Sequence, residues 1–116
     1  MTEQETIQII KQIKAYYPYL YKNITKEDAK DIVGVWHKQF KEIDYELVET
    51  AVDYWGERNT TAPSIAEIKQ SVGRFYAEID EQYSKLLHDK NADKKEIEKI
   101  KRWRKITWEA MSIRVR

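Results

Sequence analysis

Two histidines, His37 and His88, twenty carboxylates and no cysteine are the raw material for catalysis in this chain. Neither histidine has a second histidine or a thiolate at metal-ligand spacing, so both read as surface or boundary residues. Carboxylates such as Glu78, Asp80 and Glu81 fall on faces expected to be solvated, whereas catalytic carboxylates need burial or a close like charge to shift their pKa. Gly34, Gly56 and Gly73 are too far apart for a phosphate-cradling or dinucleotide loop. The pattern assigns no catalytic, cofactor-binding or metal-binding residue, and it points to a binding or adaptor protein rather than an enzyme.

Partner-recognition chemistry is concentrated near the C-terminus, where Lys101-Arg102-Trp103-Arg104-Lys105-Ile106-Thr107-Trp108 alternates basic and aromatic residues. Cations that neutralise phosphates beside tryptophans that stack on bases suit single-stranded nucleic acid. The same residues on an amphipathic helix would dock Trp and Ile anchors into a groove on another protein. A third outcome is that the tail packs back on the body. Residues 1–93 hold 12 basic and 17 acidic side chains, a net −5, and residues 94–116 hold 9 and 3, a net +6, so the two parts attract. On a helix, Ile100, Trp103 and Thr107 share one face, and Arg104, Trp108 and Met111 share the next. With Lys101, Arg102 and Lys105 they form the candidate partner-binding set.

Positioning such a tail requires a folded body, and 116 residues bound that body to one domain. Glycine (3) and proline (2) are too scarce for a many-stranded sheet protein, which leaves helices. Thr2 to Glu5 has capping-box form and opens a helix expected over residues 3–17, ended by Pro18. Thr25 caps a second, carrying Ala29, Ile32, Val33, Trp36 and Phe40; Asp44 caps a third, carrying Val48, Ala51, Val52 and Trp55 and closing at Gly56 to Thr61. Ser64 to Glu67 is a second capping box, and Ile68, Val72, Phe75, Tyr76, Ile79 and Tyr83 extend that helix to Leu87. Residues 88–93 lose the apolar period. Asp93 to Glu96 again has capping-box spacing and opens a fifth, thinly apolar helix that is marginal alone.

The expected architecture is therefore all-α: a four-helix bundle over residues 1–87, a hinge at 88–93, and a basic, conditionally ordered helix or tail over 94–116. Tyr16, Tyr17, Tyr19 and Tyr21 around Pro18 are expected to seal a corner between helices, and Trp36 and Trp55 to lie in the core. No apolar run approaches the roughly 18 residues of a membrane span, and the absence of cysteine fits a reducing cytoplasm.

The blocks Glu5-Thr6-Ile7, Lys14-Ala15-Tyr16-Tyr17-Pro18, Tyr21-Lys22-Asn23, Thr25-Lys26-Glu27-Asp28-Ala29-Lys30 with Trp36, and Ala62-Pro63-Ser64-Ile65-Ala66-Glu67-Ile68-Lys69 resemble the phage replicative helicase loader-and-inhibitor family. The resemblance covers roughly residues 3–73. It implies a small helical, non-enzymatic protein of the bacterial host cytoplasm that binds a hexameric DnaB-type helicase, restrains it and delivers it to an origin-bound initiator. It also implies that the C-terminal segment engages the helicase. The alternatives from the residues themselves are a single-stranded DNA-binding accessory protein and a homodimeric helical interaction protein.

Overall fold

Six helices follow one another in the computed structural model, which describes residues 1–112: α1 (Glu3–Tyr16), α2 (Lys26–Phe40), α3 (Tyr45–Arg58), α4 (Ile65–Gly73), α5 (Tyr76–Leu87) and α6 (Lys94–Met111). The last four residues of the expected tail, 113–116, lie outside the described residues. The fold is all-α, as expected, and the described residues contain no strand.

The start signals act as their chemistry predicts. Thr2 and Ser64 each accept a hydrogen bond from the backbone three residues on, and the Glu5 and Glu67 carboxylates accept one from the cap amides, completing both boxes. Thr25 accepts from the Asp28 amide, and Asp93 from the Lys95 amide. Losing such a cap typically costs about 1 kcal/mol. Ser64→Ala should therefore lower the stability of the chain by about 1 kcal/mol in denaturant unfolding, with the helix otherwise intact. An unchanged midpoint would show that the α4 start is held by packing alone.

Packing runs in a row: α2 lies on α1, α1 on α3, α3 on α4, α4 on α6, and α6 on α5. The molecule is accordingly long, 54 × 26 × 22 Å. Ile9 and Ile13 of α1, Trp36 and Phe40 of α2, Leu47, Val48, Ala51 and Val52 of α3, and Ile68 and Val72 of α4 form the buried interior, which Ile79, Ile100 and Ala110 continue into the α5–α6 end. Trp36 stacks on Phe40 with ring centroids 5.5 Å apart. Trp55 is only half-buried and donates its indole N–H to the Thr61 carbonyl.

The tyrosines close the corner between α1 and the α3–α4 connection. The Tyr16 hydroxyl donates to Asp53, that of Tyr17 donates to the Asn59 carbonyl, and that of Tyr19 accepts from the Ala62 amide. Helix α3 runs through Gly56 instead of stopping there, and the absent side chain makes room for the Tyr16 ring; a Cβ would lie 2.6 Å from it. Tyr21 takes no part in this corner and instead borders a groove between α1 and α2.

Two expectations change. The helix expected to run unbroken from Ser64 to Leu87 divides, because the amides of Arg74 and Phe75 bond three residues back, to Ser71 and Val72, and tighten the turn. The last helix, expected to be only conditionally ordered, is docked on the body: Ile100, Thr107 and Ala110 are buried, and α6 packs on α4 and α5. Docking supplies the apolar cover that its thin stripe lacks in isolation. The segment at 88–93 is a defined turn, with Asp89 accepting the amides of Asn91 and Ala92 through its side chain and carbonyl.

Candidate functional site

Helix α6 is eighteen residues long and presents two chemically different faces. The inward face carries Ile100, Trp103, Ile106, Thr107 and Ala110. The Thr107 hydroxyl is buried without loss because it donates back to the Trp103 carbonyl at 2.8 Å, leaving its methyl group to pack. Fully burying an isoleucine contributes about 1.5–3 kcal/mol, so Ile100 alone is a strong anchor.

Three carboxylates of the body fasten this helix. Oδ2 of Asp44 accepts from Arg102 at 2.5 Å and from the Trp103 indole N–H at 2.6 Å. Asp80 accepts from Arg104 at 2.5 Å, and Glu46 pairs with Lys99 at 3.3 Å. Asp44 occupies the N-cap position of α3 but makes no cap hydrogen bond there, since its side chain is committed to α6. The Asp80 and Glu46 pairs are exposed and screened by solvent, so they orient the helix more than they stabilise it.

Burial alone would raise the Asp44 carboxyl, yet the hydrogen bonds from Arg102 and Trp103 hold it below the ordinary carboxylate value. A carboxylate lowered in the folded state stabilises fully above its unfolded value, about 3.9, and its contribution disappears as pH falls through the folded one. Acidification below about pH 4 should thus loosen Trp103 before the rest of the protein, seen as a shift of its indole N–H resonance. Asp44→Asn should remove that step. An indole signal that stays fixed down to about pH 2 would contradict this role for Asp44.

The C-terminal end of α6 is seated on Gly73. A Cβ there would come within 2.7 Å of the Met111 amide and 2.9 Å of the Ala110 carbonyl carbon, both backbone atoms that cannot swing aside. Gly73→Ala should cost about 1–3 kcal/mol by forcing α6 outward. Gly34, also helical but with open space around it, gives the contrast. Gly34→Ala should stabilise by up to about 1 kcal/mol through helix propensity. Denaturant midpoints of the two variants moving in the same direction would contradict the seat.

The outward side of α6 is what remains for a partner. Trp108 is 60% exposed and leans on Tyr76 of α5, centroids 5.2 Å apart; Met111 is 51% exposed. Tyr76, Trp108, Lys101, Lys105, Arg102, Arg104 and Glu98 border an open groove of about 620 Å³. The candidate set is therefore split. Lys101, Lys105, Trp108 and Met111 face outward, Arg102 and Arg104 are exposed but paired with carboxylates, and Ile100 and Thr107 are core residues. Trp103 is half-buried, with Lys99 over its ring at 4.6 Å. Sequence reasoning missed Tyr76, Asp44 and Asp80 as parts of this site. The opposite charges of body and tail signalled attraction without naming the carboxylates.

Among the described residues no cluster of histidines and carboxylates could hold a metal ion, and no helix is long and apolar enough to cross a membrane. Fold and surface together define an all-helical protein whose acidic body carries a docked, basic, aromatic-bearing helix. A family model for the N-terminal domain of a group of phage helicase loader/inhibitor proteins matches residues 1–69, and the chain belongs to this family. The matched part spans α1 to α3 and the first turn of α4; α5 and α6 lie beyond it. No curated protein and no solved structure gives a significant match.

Proposed function

We propose that the protein is a non-enzymatic adaptor that binds a hexameric DnaB-type replicative helicase, restrains it and delivers it to an origin-bound initiator during phage DNA replication, with α6 as the contacting helix. The family match over residues 1–69 is the observation that carries the helicase. The exposed Trp108, with Met111 beside it and Lys101 and Lys105 along the same helix, supports α6 as the contact. A partly exposed aromatic ringed by cations is the composition of a binding anchor, the ring burying in the partner and the charges meeting acidic rim groups. Restraint needs no chemistry from this chain: a ligand bound to one conformation of a ring ATPase shifts its population toward that conformation.

Titration of the full chain against a DnaB-type hexamer, followed by sedimentation and by the helicase's own ATP turnover, tests the reading. Stable co-sedimentation with reduced unwinding is expected. A hexamer that neither binds the chain nor changes its turnover would end it. A second reading, binding of single-stranded DNA, is favoured by one observation, the Tyr76–Trp108 pair bordered by Lys101 and Lys105. The two separate by salt: phosphate binding weakens steeply with ionic strength, whereas an aromatic-anchored protein contact weakens much less.

A further inference from the structure

At the far end of the row from α6, the junction of α1 and α2 is left open. Helix α1 carries two apolar stripes. Thr6, Ile9 and Ile13 are buried in the interior, whereas Ile7 and Ile10 remain half-exposed beside α2, sharing a groove with Ala29, Ile32 and Val33. These five residues, with Tyr21, Ile24, Lys11 and Lys14, line a space of about 210 Å³. Ile24 in its wall is 39% exposed. The groove is smaller than the 300–1,000 Å³ or so typical of small-molecule sites, and its size and apolar walls suit inserted side chains.

Charge states what kind of segment would bring them. The only charged residues lining the groove are Lys11 and Lys14, and among the described residues neither pairs with a carboxylate. The connection between the two helices is held in an uncommon conformation: Tyr21 and Asn23 have φ of 57° and 65°. For a tyrosine the left-handed region is costly, and such residues concentrate at ligand clamps. Here that geometry accompanies a Tyr21 side chain at the groove wall.

We infer that the α1–α2 groove docks a short amphipathic helical segment of a protein partner, with aliphatic side chains on one face and carboxylates beside them that meet Lys11 and Lys14. This surface is separate from α6, so one chain can hold two partners at once, and the inference stands whichever partner α6 takes. Helix-in-groove recognition of this type reads anchors at positions i, i+3 or i+4, and i+7.

A displayed library of random peptides, about 15 residues each so that a single helix can form, selected on the full chain tests it. Enriched peptides should combine aliphatic residues at that spacing with Asp or Glu, and should shift the methyl resonances of Ile7, Ile10 and Ile32. The double charge reversal Lys11→Glu/Lys14→Glu, at two exposed positions, should weaken such a peptide about tenfold or more. Ile24→Ser should weaken it through the wall, while Trp108→Ala leaves it unchanged. No enrichment, enriched peptides that are basic, undiminished binding by both groove variants, or a dimer of this chain that Lys11→Glu/Lys14→Glu dissociates would each overturn the assignment.

Discussion

Cutting the chain after Asp93 should unfold α5 along with the loss of α6. Helix α5 packs chiefly on α6, and Ile79 is its one buried residue. The cleft around Ile79 is walled by Leu47, Thr50 and Phe75 on one side and by Trp103 of α6 on the other. Without Trp103, Ile100 and Ile106, the twelve residues of α5 form an isolated helix too short to persist in water. The loss of buried apolar surface is on the order of 4 kcal/mol or more. Amides of Tyr76 to Leu87 should then exchange rapidly in the shortened chain, while α1 to α4, which keep Ile9, Ile13, Val48, Val52, Ile68 and Val72 among themselves, stay protected. Slow exchange across Tyr76 to Leu87 in the shortened chain would show that residues 1–87 stand alone, as their apolar stripe suggests.

Trp108→Ala should weaken helicase binding by about 2 kcal/mol, roughly thirtyfold, without unfolding the protein. The side chain is mostly exposed, so the core is untouched by its removal. Trp103→Ala behaves oppositely: it breaks the hydrogen bond to Asp44 and uncovers Ile79, and its first effect is a lower unfolding midpoint. Lys105→Ala should change the association rate and its salt dependence more than the affinity. The ordering of these three variants separates an anchor that touches the partner from a residue that merely keeps α6 in place.

Local chemistry could be read from the sequence because its causes are local. Capping boxes at Thr2 and Ser64 need only a hydroxyl and a carboxylate three residues apart, and the tyrosine corner needs only Pro18 to stop α1. The break between α4 and α5 left no such trace: Val72, Phe75, Tyr76 and Ile79 keep a helical period straight through it. It coincides with a tertiary feature, the close approach of the α6 backbone to Gly73. The same holds for Asp44, whose sequence position reads as a cap and whose carboxylate is drawn to Trp103, 59 residues further along the chain. At the candidate surface, the charge asymmetry foretold attraction between tail and body, but period alone could not decide which tryptophan turns inward. Trp103 does so where Asp44 offers its indole N–H a partner.

Whether α6 is the helicase-binding helix is decided by the affinity of the full chain and of Trp108→Ala for a DnaB-type hexamer, each measured at low and at physiological salt. Tight binding by the full chain should fall only modestly with salt, and the variant should lose roughly thirtyfold at both salt concentrations. Equal affinities for the two proteins, or binding that vanishes at physiological salt, would contradict that assignment.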